Sequence, residues 1–364
     1  MSGIRARAEA VLFIAFLPMV LAGTGACSAL WGFDDLSSPV SDGGSTVDGP
    51  GSCEAGQGCP SECVGGGCES GLPCPPGGCG SRDGGSLSTL LMFGGCGSGT
   101  PATSLADTWT WNGAAWTPGA AGPSARYGSA AATLDGNVVL FSGIGAPADT
   151  WQWDGASWLQ LKPTGAPPGR SSAATGVLKG KMVVFGGYRD GHGISNDTWV
   201  FDGAGWSQAS AGGPDERQAG SAAVVNDKMV LFGGQTYNLA ILGDTWEWDG
   251  SSWAKRTVSG PAARSSASAA TLNGKMILFG GYGQSSFLGD TWSWDGATWT
   301  QLSVTGPSPR RDAALARYGG KLVLFGGNGA TRGLSDTWEF DGTTWTERSV
   351  TGPPGRCSPA MSGP

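Results

Sequence analysis

The sequence predicts an all-β fold: a six-bladed β-propeller of four-stranded antiparallel blades. Three observations predict it. The decapeptide DTWTWNGAAW at Asp107 returns with small changes at Asp149, Asp197, Asp244, Asp290 and Asp336, in copies 42 to 48 residues apart. Self-similarity at that period marks a repeat architecture. A continuous apolar run ending in glycine, such as KMVVFGG or KLVLFGG, precedes each copy. Before five of those runs lies a strand-length segment of its own, alanine-rich in GSAAATL, SAATGVL, GSAAVV and SASAATL.

Each repeat reads as four short strands in order. The alanine-rich segment is the first and lies nearest the axis, where neighbouring blades crowd. The apolar run is the second, and it suits a strand buried on both faces. The DTW segment is the third, with alternating aromatic residues, and the fourth starts at the last tryptophan. Asp135-Gly136 and Asn273-Gly274 join first to second strands, and Asp154-Gly155, Asp249-Gly250 and Asp295-Gly296 join third to fourth. Both residue types tolerate positive φ, so these pairs are strong hairpin signals. One such repeat cannot bury its own faces, but several packed radially can. Sixteen of the seventeen tryptophans sit in the DTW blocks. They are read as filling the space where blades diverge, with indole N–H groups finding local acceptors.

The arginine opening each first strand, the hydrophobic strand ending in Gly-Gly, the aspartate with its aromatic, and the closing tryptophan together resemble kelch repeats. One copy runs Arg264, MILFGG to Gly281, DTWSW from Asp290, and Trp299. The resemblance covers residues 88 to about 361, with one departure, Ser142 in place of the first glycine of its pair. It implies six blades.

Spacing separates two faces. Arginine to strand-two phenylalanine is always 15 residues, and aspartate to last tryptophan always 9. Phenylalanine to aspartate varies from 8 to 14, and tryptophan to arginine from 10 to 12. Because strands alternate in direction, both variable connections emerge on one face, and tight turns build the other. Loops on a rigid scaffold carry specificity, so any ligand site is expected there. Its candidates are Tyr188, Arg189 and His192 in the third blade, Tyr237 in the fourth, Tyr282 in the fifth and Arg332 in the sixth. A ring of arginines, Arg126, Arg170, Arg217, Arg264, Arg310 and Arg356, joins them. In kelch proteins this face, including such arginines, often contacts ligands. The structural alternative is that each arginine pairs with a repeat aspartate such as Asp149 or Asp244 and buttresses a loop, for which its planar donor fork is equally suited.

The N-terminal part is of another kind. Arg5 and Arg7 precede the apolar stretch AVLFIAFLPMVLAG, of signal-peptide length, and TGAC ends at Cys27. This resembles a bacterial lipoprotein signal, which implies lipidation of Cys27 and an envelope or outer-membrane location. Plain cleavage after Ala26, and hence secretion, is the other reading. Residues 27–86 are rich in Gly, Ser, Pro, Asp and Cys and lack core-forming periodicity, so a disordered stalk is expected before the propeller of residues 87–364. Its six cysteines, Cys53, Cys59, Cys63, Cys68, Cys74 and Cys79, show no zinc-site spacing and read as disulfides of an exported protein. Sequence does not choose among their fifteen pairings.

Composition restricts function. A net charge of −7 without a basic cluster argues against nucleic-acid binding. A single histidine, His192, excludes the two-histidine copper chemistry of galactose oxidase, a kelch relative. A second relative, a periplasmic sialate mutarotase, would need paired ionisable groups. Asp190, His192, Asp215 and Glu216 are the loop candidates. The leading reading is a monomeric, surface-anchored, non-catalytic binding module for a protein or glycan, with membrane contact only through its lipid and with no metal or cofactor. A mutarotase-like enzyme and an envelope scaffold without a small ligand are the alternatives.

Ring closure is also legible. The first repeat begins at strand two, STLLMFGG, with no alanine-rich strand before it. Arg356 follows Trp345 at the usual spacing, and RCSPAMSGP ends the sequence. This last segment is expected to supply the inner strand of the first blade, with Pro359 at its free edge. In the second blade, the turn at Asp135-Gly136 sets Tyr127 opposite Ile144. Cys357 and Cys96 occupy the corresponding places in the first, so a disulfide between them is expected. Six stalk cysteines, this pair and Cys27 account for all nine.

Overall fold

The computed structural model describes residues 63–64, 67–68, 87–99, 103–209 and 212–364. The signal segment, Cys27, Cys53, Cys59, Cys74 and Cys79 lie outside them. Within the stalk only the two-residue strands Cys63–Val64 and Gly67–Cys68 are described.

From Leu87 onward the chain forms six four-stranded antiparallel sheets arranged as the expected propeller. Blade two is typical: Ala130–Leu134, Asn137–Phe141, Thr150–Trp153 and Trp158–Leu161, in that order outward. Ala130 faces Phe141 and Leu134 faces Asn137 across the inner turn. The inner strands touch all the way round; Ala130–Leu134 meets Ala174–Leu178 on one side and Ala360–Ser362 on the other. Alanine and serine are what this crowding admits. Blade one takes Ala360–Ser362 as its inner strand, paired with Leu90–Phe93, so the first and last strands of the propeller close the ring as the sequence implies.

The core is a series of layers, one per junction between blades. Between blades two and three, Val139 and Phe141 meet Met182, Val184, Phe201 and Trp206, all nearly inaccessible. At every junction the strand-two phenylalanine of one blade lies against the last tryptophan of the next, with ring centroids 4.8–5.4 Å apart.

The tryptophans fall into three columns with different hydrogen-bond fates. The first, for example Trp246, donates to its own blade's aspartate, here Asp244 Oδ2 at 2.7 Å. The third donates to the threonine beside the aspartate of the preceding blade: Trp299 to Thr245 at 3.0 Å, Trp345 to Thr291 at 3.1 Å, and Trp116 to Thr337 at 3.0 Å across the closure. The second departs from expectation. Trp111, Trp153, Trp248 and Trp294 are fully buried, and their indole N–H groups have no partner among the described residues. The column lies in apolar layers where only ring volume matters, and two blades use Phe201 and Phe340 there instead. Replacing Trp248 by Phe should therefore change unfolding free energy by less than about 1 kcal/mol, because the lost area is offset by removing an orphan donor. Trp299→Phe, which strands the buried Thr245 hydroxyl, should cost about 1–3 kcal/mol in the same denaturant titration.

The Gly-Gly pair ending strand two turns the chain toward the variable face. Gly186 has φ +66°, and a Cβ there would lie 2.5 Å from the Arg217 carbonyl oxygen and 3.1 Å from that of Ser195. That loop carbonyl accepts the Arg217 backbone N–H. Blade two has the shortest loop, 8 residues from Phe141 to Asp149, and Ser142 in place of glycine. The two departures are coupled. Ser142 also sits at positive φ, 51°, and its Oγ accepts the Arg170 backbone N–H at 2.9 Å, the bond that loop carbonyls make in the other blades. Ser142→Ala leaves that buried donor unpaired and should lower stability by about 1–3 kcal/mol in thermal or denaturant unfolding.

Candidate functional site

Two residues beyond each arginine, the chain passes through positive φ at Gly128, Ser172, Ala219, Ser266, Asp312 and Ser358. These residues form a closed circuit around the axis. Ser172 N–H donates to Gly128 O, Ala219 to Ser172, Ser266 to Ala219, Asp312 to Ser266, Ser358 to Asp312 and Gly128 to Ser358, at 2.7–3.0 Å. Five of the six side chains are no larger than serine, and Asp312 is the exception.

One residue beyond each arginine, a rung crosses to the extension of strand two. The rungs are Tyr127 with Ile144, Ser171 with Tyr188, Gln218 with Gln235, Ser265 with Tyr282, Arg311 with Asn328, and Cys357 with Cys96. The register inferred for the cysteines holds: their Cα atoms are 5.0 Å apart and their sulfurs are bonded. Blades four and five extend their central strands, Lys228–Gln235 with Ile241–Trp248 and Lys275–Tyr282 with Phe287–Trp294, through bulges after Phe232 and Phe279. Blade three adds the small hairpin of Tyr188–Arg189 and Gly193–Ile194. These hairpins raise a wall on one side of the axis.

Circuit and rungs enclose a bowl of about 610 Å³ on the variable face, lined by Tyr127, Gln218, Gln235, Phe287, Arg311, Asp312, Asn328, Arg332 and the two cysteines. At the circuit the axis narrows to a neck of about 150 Å³, walled by small side chains and Asp312. Among the described residues, Asp312 is the one carboxylate lining the bowl. Burial pushes its carboxyl up, against the lowering influence of Arg311 and the hydroxyls of Ser266 and Ser358. Arg311 Nε lies 3.3 Å from Asp312 Oδ2 without an aligned hydrogen bond, while its guanidinium lies over Tyr282 and Phe287 at 5.2 and 5.9 Å.

The arginine ring lies under this face. Arg126, Arg170, Arg217, Arg264, Arg310 and Arg356 are at most 3% exposed. Each fork grips its own blade's aspartate through both guanidinium nitrogens: Arg264 contacts Asp290 at 2.6 and 2.9 Å and donates to Gly280 O at 2.9 Å. Arg356 does the same with Asp107 and Gly94 across the closure. Every donor fork is taken up internally, so the ring supports the bowl and does not line it. Among the other sequence candidates, Arg332 lines the bowl, and Tyr282 lies behind Phe287 with ring centroids 5.4 Å apart. Tyr188 and Tyr237 are 36% and 66% exposed on the wall, and His192 is exposed beside Arg189 at the blade-three tip. Asp190, Asp215 and Glu216 are exposed outside the bowl. Among the described residues, no three His, Cys, Asp or Glu side chains gather where they could hold a metal ion.

Sequence reading missed Asp312, Gln218, Gln235, Asn328 and Leu239. Aligning the two positions after each arginine would have exposed the first two, because those columns hold small residues in some blades and long polar ones in others.

A family model described as the KLHDC2/KLHL20/DRC7 Kelch-repeats domain matches residues 148–249 and 204–362, which together exceed half the chain. The chain belongs to the kelch-repeat family. No curated protein matches it. Kelch propellers are commonly protein-interaction modules. The matched stretches omit most of blade one, where Arg356 and Asp107 supply the kelch arginine–aspartate pair from opposite ends of the propeller.

The kelch aspartates carry a pH dependence. For Asp197, burial alone would raise the pKa, but hydrogen bonds from Arg170, Ser195 and Trp199 outweigh it and lower the value from 3.8 to about 2. Asp149, Asp244, Asp290 and Asp336 shift the same way. A folded pKa below the unfolded one stabilises above the unfolded value, and this stability is lost as pH falls through the folded value. Unfolding free energy should decline between pH 4 and about 2, and Asp197→Asn should flatten that decline in acid titrations followed by tryptophan fluorescence.

Proposed function

We propose that the chain is a binding module for a protein partner, held at the cell envelope by lipidated Cys27 and presenting the variable face of its propeller. The carrying observation is the confinement of chemical variation. Phe, Trp, Arg, Asp and Thr positions repeat around the ring, whereas the rungs take five different residue pairs in six blades and the loops and hairpin tips vary, all on one face. A broad bowl with amide and guanidinium groups beside a wall topped by Tyr188, Tyr237 and Leu239, the last 71% exposed, supports a protein surface as ligand. Exposed aromatic and arginine side chains around a polar depression are the usual makings of a hot spot. A mutarotase-like acid–base mechanism finds less support, because among the described residues Asp312 has no second carboxylate beside it in the bowl. The signal-like residues before Cys27 support export and anchoring.

The test is capture of envelope proteins by the full chain and by two variants. Tyr188→Ala combined with Tyr237→Ala should weaken a captured partner by about tenfold or more, with an unchanged melting temperature. Lys275→Ala on the tight-turn face should leave it unaffected. Equal capture by all three forms would refute the variable face as the binding surface.

A further inference from the structure

Blade one is closed by the least extensive inner pairing of the ring. Ala360–Ser362 makes three Cα pairs with Leu90–Phe93, whereas Ala130–Leu134 makes five with its neighbour. Its kelch pair is also the most open of the six, since the Asp107 side chain is 40% exposed against 9–25% for the others. In compensation, the rung of this blade alone is covalent. Cys357 adjoins Ser358, which both donates to Asp312 and accepts from Gly128 in the axial circuit. The disulfide therefore sits where the C-terminal strand, the circuit and the bowl wall meet. Both cysteines line the bowl, at 5% and 8% exposure, so the bowl itself is the route by which a small thiol reaches them.

We propose that Cys96–Cys357 is a redox latch, whose reduction frees the inner strand of blade one and dismantles the bowl. A thiolate of a dithiol reductant attacks one sulfur, the Cys96–Cys357 bond breaks, and the displaced thiolate takes a proton. The second thiol of the reductant then resolves the mixed disulfide, leaving two protein thiols and a cyclic disulfide; the dithiol supplies both electrons and both protons. The covalent link spans 261 residues, so its loss returns a large closure entropy to a strand held by three pairs. The other five blades have contiguous strands and do not depend on it. Blade one carries Ser358 and the Cys96 wall, so opening it removes one side of the bowl. This consequence for binding rests on the bowl being the binding face; the opening itself does not.

Hydrogen exchange on the full chain, read by mass spectrometry before and after dithiothreitol, tests the latch without any partner. Peptides covering residues 356–363 and 90–97 should exchange about tenfold or more faster once reduced. The inner strands Ala174–Leu178, Ser221–Val225 and Ser268–Leu272 should stay protected. Reoxidation should restore the original rates. A Cys96→Ser, Cys357→Ser double variant separates this pair from the stalk cysteines: it should exchange fast in blade one without reductant and not respond to it. Unchanged exchange after alkylation shows both thiols free would overturn the latch. So would acceleration spread evenly over all blades, or a dithiothreitol response that persists in the double variant.

Discussion

The arginine–aspartate fork is the interaction on which the rest of the propeller depends. Each arginine is fixed twice. Its backbone is gripped by the preceding blade, whose second glycine-pair N–H donates to the arginine carbonyl, as Gly187 does to Arg217. Its side chain is gripped by its own blade's aspartate and strand-two carbonyl. One residue thereby links neighbouring blades and sets the start of the inner strand. The aspartate in turn orients the first tryptophan, and the adjacent threonine receives the last tryptophan of the following blade. The DTW motif is a wiring plan for a junction. A buried pair of this kind is weak evidence of net stabilisation, yet removing one partner strands a charge and costs about 3–5 kcal/mol.

A frame so determined leaves freedom in few places. The side chains one and two positions after the arginine, the cysteine rung aside, and the loops beyond the glycines project from the frame without carrying it. There the chain places glutamine, arginine, tyrosine or cysteine according to blade. Departures inside the frame occur with a compensating change. The short loop of blade two removes an acceptor, and Ser142 restores it. The three-pair strand of blade one forfeits pairing, and the disulfide rung stands beside it.

Much of this was legible in the sequence because repetition supplies its own alignment. Strand order, blade number, the two faces, closure by the C-terminal segment and the cysteine register all follow from fixed distances between recurring residues. The arginines were ambiguous for a physical reason. A planar fork serves a buried aspartate and a ligand carboxylate equally well, and only burial distinguishes them. The four orphan indole N–H groups were illegible because tryptophan reads as a donor wherever it occurs, although Phe201 and Phe340 already hinted that the position asks for volume alone. Asp312 escaped notice because its meaning depends on a circuit formed by residues from six blades, none of them near it in sequence.

The direction of the strands in blade one has a practical meaning. Leu90–Phe93 runs toward the bowl and Ala360–Ser362 runs away from it, so the chain enters and leaves on the tight-turn side. There Ser88 O accepts the Tyr318 hydroxyl and Gly363 O accepts that of Thr133. Residues 87 and 363 therefore both lie at the back of the propeller. A bead, a sensor surface or a fluorescent protein attached at residue 87 or 363 leaves the bowl facing outward.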